Sequence, residues 1–339
     1  MSLSTDEHTA SSREPTAARG RPSARHFVRL FEAYALLGLT LVVAAFFTFW
    51  EPTSSTFLTP ANIRSLASGN AVVAVVALAA LVPLIAGEFD LSVGASAGLS
   101  AVLSAQVLAA SQPVFLALAA ALVIGACVGT INALLVTRLN VNAVVSTLGM
   151  SIIIAGLINQ LTGGTTVAGN LPAWFLNFGA GSTIGIPNIV LVLAVIALAV
   201  YYLVDHTPYG RYLYAYGANP KAARLVGIRT RLTVGMTFVL AGIIAGSGGF
   251  LQVLRAGGAD PRVGESLLLP AITAAFLSAA AIKPGRYNVG GTLVAVLFLA
   301  VLNSGLNLAG VPPYVNSYVN GVALILGVAL AVALGRRRT

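Results

Sequence analysis

Apolar runs follow one another so closely along this chain that lipid, not water, must be its main solvent. A helix needs ~20 mostly apolar residues to cross ~30 Å of hydrocarbon. Runs of that kind cover approximately Tyr34–Trp50, Gly69–Ala86, Leu91–Ala110, Pro113–Val136, Ala143–Leu161, Pro187–Val204, Leu232–Leu254, Ser266–Ile282, Val289–Gly310 and Val315–Leu334. Only 9% of the residues are charged and 57% are hydrophobic, against about 25% charged in soluble domains. The expected fold class is therefore an all-α polytopic membrane protein of about ten transmembrane segments, with no sizeable soluble domain. Residues 1–32, rich in Ser, Ala and Arg, read as a disordered basic tail without the features of a cleaved signal peptide. Residues 33–335 read as the membrane domain, with a large loop at 205–231, and 336–339 as a basic tail. The single cysteine, Cys127, excludes a disulfide within the chain and reads as a small buried hydrophobe.

Charge sets the expected orientation. With the N-terminus inside and the segments alternating, the inner side collects all but Arg64, Arg255 and Arg262 of the 19 Lys and Arg. That asymmetry is what the positive-inside rule requires. Both termini are expected in the cytoplasm, and the net charge of +9 reflects topology without calling for nucleic acid. Two outer loops stand out: the uncharged stretch from Gly163 to Ile186, and RAGGADPRVGE from Arg255, which carries both signs.

The polar stretch GEFDLSVGASAGLS, Gly87 to Ser100, interrupts the apolar pattern. Its Glu88 and Asp90 are the only acids between Glu51 and Asp205, and charge between apolar segments is costly in lipid. Short side chains at Asp90 and Ser92 can accept from the free N–H groups that open a helix, and the helix dipole favours a negative group there. Gly87, Gly94 and Gly98 permit close backbone approach. The expectation is a broken or re-entrant element near 87–100, one helix ending at Gly87 and the next starting at Leu91.

The inner loop contains a second informative stretch, RYLYAYGANPKAARLVGIRT. Asn219 is a good N-cap and Pro220 suits the first helical position. Lys221 to Val226 gives about two turns, and Gly227 followed by Ile228 fits a left-handed C-terminal cap. So short a helix needs a packing partner. Two readings stand: a basic helix on anionic headgroups, or a docking helix whose small face is Ala223, Val226 and Gly227, flanked by Lys221 and Arg224.

No segment centre carries Asp, Glu, Lys, Arg or His, and His8, His26 and His206 lie outside the segments. Ion-coupled carriers usually keep ionisable relays at mid-depth. A phosphate loop of the GxxxxGK[ST] type is also missing, so ATP hydrolysis is not expected on this chain. No catalytic set, cofactor site or metal site is expected either. Asn70, Gln106, Asn132, Asn159, Asn303 and Asn307, with Gln160, lie in or beside segments. As a set they suit a path for a neutral hydroxyl-rich solute, although any one of them can equally join helices. Three functions remain open: a passive translocation subunit driven by a partner ATPase, a self-sufficient secondary carrier of a neutral solute, and an uncoupled facilitator.

The stretches GEFDLSVG, INALLVTRLNVNAVVSTLGMSIIIAGL (Ile131 to Leu157), GRYLYAYGANPKAARLVGI and VLNSGLNLAGV closely resemble the permease subunits of ribose-type bacterial ABC sugar importers. The likeness covers roughly Thr56 to Leu334. It implies the ABC importer permease fold in the bacterial inner membrane, a second permease copy, two cytoplasmic ATPase subunits and an extracytoplasmic solute-binding protein. By resemblance, Asn219 to Gly227 corresponds to the coupling helix that docks on the ATPase, and the Asp90 motif to the family signature. One region departs. Where such permeases usually carry a glycine-rich run, this chain reads LSAAAIKPGRYN, Leu277 to Asn288, and Pro270 falls where a polar residue is common. The departure bears on helix packing and gating at that end.

Overall fold

The computed structural model describes residues 22–336 apart from Asn170. In order it contains α1 (Pro22–Phe49), the single turn α2 (Glu51–Ser54), α3 (Pro60–Ile85), α4 (Val93–Ala109), α5 (Val114–Thr137), α6 (Ala143–Thr162) and α7 (Ala173–Ala180). A two-stranded hairpin follows, β1 (Ser182–Thr183) and β2 (Ile186–Pro187), closed by Ile184 and Gly185 with φ of 55° and 79°. Then come α8 (Asn188–Tyr201), a π-helical turn at Tyr202–His206, α9 (Pro208–Ala218), α10 (Pro220–Leu225), α11 (Thr230–Ala256) and α12 (Val263–Leu277). A 3-10 turn at Ser278–Ala280, α13 (Val289–Leu308) and α14 (Pro313–Arg336) complete the chain.

Among the described residues, eight helices are long and apolar enough to cross a membrane. Two shorter apolar helices, Ala33–Phe49 and Val93–Ala109, occupy the first and third expected positions. The third segment begins at Val93, two residues later than expected, and its 17 residues span ~25 Å at 1.5 Å per residue. The tail expected over 1–32 is helical from Pro22. Residues 1–21, and 337–339 of the basic C-terminal tail, lie outside the described residues.

α3 is the centre of the bundle. Val72, Val75, Val76, Leu78, Leu81 and Val82 are fully buried around its whole circumference, as expected of a helix apolar on every side. It is surrounded by α4, α8, α11, α12 and α13. α5 and α11 approach more closely than side chains would allow. A Cβ added at Gly125 would run into the Gly242 carbonyl, and one at Gly129 into the Phe238 carbonyl. Between lipid-solvated helices, such backbone-to-backbone packing by small residues replaces the hydrophobic drive that water supplies elsewhere. Gly94 of α4 and Gly264 of α12 repeat the device, each lying where a Cβ would come within 2.6 Å of the other's carbonyl oxygen. Cys127, expected inside, is exposed, because α5 turns Gly125 and Gly129 toward α11 and the intervening position outward.

Contacts distinguish the two ends of the bundle. At one end, Gly217 of α9 lies against the Ile85 carbonyl of α3, the Tyr214 hydroxyl donates to the Tyr287 carbonyl, and the Ile282 N–H donates to the Ala33 carbonyl of α1. At the other, Ser304 of α13 meets Asn62 of α3, Gln106 of α4 donates to the Leu161 carbonyl of α6, and Val167 pairs with Ala259. The spans therefore alternate in direction.

Burial makes the glycine packing testable. Gly242→Ala should lower the thermal stability of the purified chain by about 1–3 kcal/mol. Gly156→Ala should be neutral, since nothing lies within 4 Å of a Cβ there. Equal melting behaviour of the two variants in detergent would refute close packing of α5 on α11.

Candidate functional site

The break between α3 and α4 is held by side chains, because its backbone lacks helical partners. Gly87 takes φ +78°, the left-handed region that glycine enters without a Cβ penalty. Asp90, only 5% exposed, accepts at Oδ1 from the Ser92 N–H (2.8 Å) and the Ser92 hydroxyl (2.6 Å). The expected caps are thus divided. Asp90 closes an Asx-type turn two residues on, while the Ser92 hydroxyl does not cap the helix it precedes. That hydroxyl instead accepts from Asn132 Nδ2 of α5 at 2.8 Å. Two residues of α6 complete the junction: Thr147 Oγ1 accepts from the Leu91 N–H at 3.0 Å, and the Ser151 hydroxyl donates to the Leu91 carbonyl at 2.9 Å. Thr147 and Ser151 were not foreseen. They lie in the motif that carries the resemblance and are one helical turn apart, the spacing that places both on one face.

The six amides expected to line a path do not come together. Asn132 is fully buried in the junction. Asn70 donates to the Leu66 carbonyl of its own helix. Gln106 Nε2 joins α4 to the Leu161 carbonyl, and Asn159 is exposed on α6 nearby. Asn303 and Asn307 fall in a different cluster, where Asn303 Nδ2 donates to Asn320 Oδ1 (3.4 Å) and Asn316 Nδ2 to Asn307 Oδ1 (2.6 Å). The Ser304 hydroxyl donates to Asn62 Oδ1 beside them. Asn303 Oδ1 and Asn316 Oδ1 are buried without a partner among the described residues.

The short helix α10 has the start and stop read from its sequence. Asn219 Oδ1 accepts from the Ala222 N–H at 3.0 Å, Pro220 opens the helix, and Gly227 takes φ +86°. The Ile228 N–H donates to the Ala223 carbonyl, as in a Schellman cap. Of the outward face expected, Val226 and Gly227 are exposed and Ala223 is not. Ala223 is 3% exposed and points inward, whereas Leu225 and Val226 are 88% and 77% exposed. Lys221, Arg224 and Gly227 are exposed beside them.

α10 and the junction face one another across a cavity of about 270 Å³ lined by Glu88, Asn140, Tyr216, Arg224 and Arg231. Burial pushes the Tyr216 hydroxyl above its ordinary pKa; the Glu88 carboxylate adds to the rise and the Arg224 guanidinium offsets it. Glu88 and Arg224 thus reach the same hydroxyl from opposite elements. Among the described residues no group of His, Cys, Asp or Glu is arranged to hold a metal ion.

The hydrogen bonds at Asp90 are acceptor bonds that an amide oxygen can also make. Asp90→Asn should therefore keep most transport, while Asp90→Leu should cost ~1 kcal/mol or more of stability by leaving the turn open. Loss of uptake in Asp90→Asn with assembly intact would show that the charge itself is required.

Comparison with known proteins adds the family. Residues 62–328 match the family model described as branched-chain amino acid transport system / permease component. The chain is 31% identical over 312 residues to the ribose import permease protein RbsC of Escherichia coli K12, covering 90% of this chain and 95% of that one. It is 34% identical over 277 residues to RbsC of Bacillus subtilis, covering 81% and 85%. With the galactose/methyl galactoside import permease protein MglC of Haemophilus influenzae it shares 30% over 293 residues, covering 81% and 87%. No solved structure matches the chain. A multi-pass bundle with this junction motif, matched over most of its length, is a transport subunit and not an enzyme: the chain belongs to the branched-chain amino acid transport system / permease component family, with the ribose-type ABC permeases.

Proposed function

We propose that this chain is the translocation subunit of an ABC importer in the bacterial cytoplasmic membrane. It moves a monosaccharide or a similar neutral hydroxylated solute, and a separate cytoplasmic ATPase supplies the energy. The observation that carries the reading is α10. A six-residue helix is marginal alone, yet this one is capped at both ends and anchored by Ala223, and it presents Leu225 and Val226 to solvent beside the exposed Lys221 and Arg224. Exposed apolar side chains on a rigid, basic-flanked turn suit a protein partner. A facilitator has no use for such a partner.

The substrate class rests on the relatives' names and on the polar groups available. The described spans carry amides and hydroxyls at mid-depth and no Asp, Glu, Lys, Arg or His, which suits hydroxyl donors and acceptors better than ions. Asn303, Asn307, Asn316 and Asn320, with Asn62, form the amide group assigned to the path, and the buried oxygens of Asn303 and Asn316, without a partner among the described residues, leave acceptor capacity that suits sugar hydroxyls. Asn132 is reassigned to the junction. A solute-binding protein delivers the substrate from outside, and a second copy of the permease completes the path, as in the permeases this chain resembles. The distribution of Lys and Arg supports placing both termini in the cytoplasm.

Leu225→Glu should abolish co-purification of the ATPase while the permease remains inserted. Gly227→Val should uncouple uptake from hydrolysis, because a β-branched residue is strained at φ +86°. Retention of full ATPase binding and uptake in both variants would reduce α10 to a surface turn. Orientation is read separately by cysteine labelling in a Cys127→Ala background. Asn219→Cys should react only with reagent on the cytoplasmic side and Thr165→Cys only from outside; the reverse pattern would invert the topology.

A further inference from the structure

The segment from Ser278 to Asn288, within the stretch where this chain departs from its resemblance, is a loop braced from inside by one side chain. Asn288, 1% exposed, points Nδ2 at the carbonyls of Ser278 (3.0 Å), Ala281 (3.0 Å) and Arg286 (2.9 Å), and its Oδ1 accepts from the Gly291 N–H at 2.7 Å. Ile282 is held at φ 61°, a conformation that costs a β-branched residue and persists only where surrounding structure enforces it. Its N–H donates to Ala33 of α1 at 2.8 Å.

This loop grips the elements that lead to α10. Lys283 Nζ pairs with Asp205 Oδ1 at 2.6 Å. The Arg286 guanidinium lies 4.3 Å from the centre of the Tyr214 ring of α9, and the Tyr214 hydroxyl donates to the Tyr287 carbonyl at 2.8 Å. Asp205 reaches Lys283 from the π-helical turn Tyr202–His206, an irregularity that often marks functional sites. Burial raises the Tyr214 hydroxyl to about 12, with Asp205 adding to the rise and Arg286 offsetting it; both charges therefore act on one ring. On its other side the loop continues into the bundle. The Tyr287 ring lies 6.1 Å from that of Phe276 in α12, and Phe276 lies 5.8 Å from Phe89, next to Asp90.

We propose that Ile282–Tyr287 is a clasp that transmits displacement of α9 and α10 to the α3–α4 junction and the adjoining end of α12, with Lys283 and Arg286 as its positioning residues. The proposal rests on the coupling role given to α10. An exposed ion pair alone contributes little, so the grip lies in the combination of ion pair, cation–π contact and hydrogen bond on one rigid loop. The direct contact of Gly217 with the Ile85 carbonyl is a second route to the same junction, so clasp variants should weaken coupling without abolishing it.

The test uses the permease reconstituted with its ATPase and binding protein, reading solute moved per ATP hydrolysed. Lys283→Ala and Arg286→Ala should each lower that ratio by about fivefold with ATPase co-purification unchanged. The exchange of Asp205→Lys with Lys283→Asp should recover most of the loss. In the permease alone, hydrogen exchange at Phe89–Ser92 should accelerate in Arg286→Ala. An unchanged ratio in both single variants, a charge exchange no better than Lys283→Ala, or faster exchange confined to α9 would each overturn the clasp. Leu225→Glu separates the two readings. If it releases the ATPase while the clasp variants behave as wild type, the clasp alone falls; if it leaves the ATPase bound, the docking role of α10 falls, and exchange at Phe89–Ser92 still decides the clasp.

Discussion

A backbone that leaves the helix beside lipid must find new partners for every N–H and C=O it frees. Here three side chains supply those partners: Asp90 Oδ1 accepts from the Ser92 N–H, Thr147 Oγ1 accepts from the Leu91 N–H, and the Ser151 hydroxyl donates to the Leu91 carbonyl, while one hydroxyl ties the junction to α5. Ser92 Oγ stands between Asp90 and Asn132, donating to the first and accepting from the second. Hydrogen bonds between membrane helices average only ~0.6 kcal/mol each, so their main contribution is positional. Together with Thr147 and Ser151 they fix where α3 stops, where α4 starts and how α5 and α6 sit against both. α11 is then threaded between α3, α4 and α5, at a distance that only glycine permits.

The same end of the bundle holds the one ion pair found among the described residues and the charged contacts around it. The Lys283–Asp205 pair, the Arg286–Tyr214 contact and the Glu88–Tyr216–Arg224 cavity all lie there. The opposite end is built from amides, hydroxyls and a short hairpin, with charges of both signs in the loop from Arg255 to Glu265. The division follows from solvent. Ionic side chains are tolerated where water or a partner protein can reach them, and a path for a neutral solute is cheapest to build from groups that lose little on desolvation.

Much of the architecture was legible because lipid imposes a coarse, length-based rule that eight of the ten expected runs satisfy among the described residues, with shorter apolar helices in the other two places. The caps of α10 were legible for a similar reason: Asn219, Pro220 and Gly227 each have a local backbone role that needs no tertiary context. What stayed hidden depends on direction in space. Six residues of α10 show no periodicity strong enough to say whether Ala223 or Leu225 faces inward. Thr147 gave no warning of its role, since a threonine in a membrane helix can hydrogen-bond its own helix, and Thr147 does so too, to the Ala143 carbonyl. Asn132 looked like a path residue because an amide in a span carries no sign of which neighbour it meets. The loop at Leu277–Asn288 showed only that a glycine-rich pattern was missing; that Asn288 cross-braces it required its fold.

The π-helical turn at Tyr202–His206 has a consequence for how this molecule can vary. A wider turn adds one residue without adding a full rotation, so the azimuth of α8 toward the bilayer and the azimuth of Asp205 toward Lys283 are indexed separately. Each residue of an ordinary helix advances ~100°. Removing one residue from that turn would leave the apolar face of α8 where it is and swing Asp205 about a quarter of a circle away from its lysine. Substitutions along the lipid face of α8 can therefore accumulate without disturbing the ion pair, while a single-residue deletion in the turn would disconnect it with both partners of the pair still present.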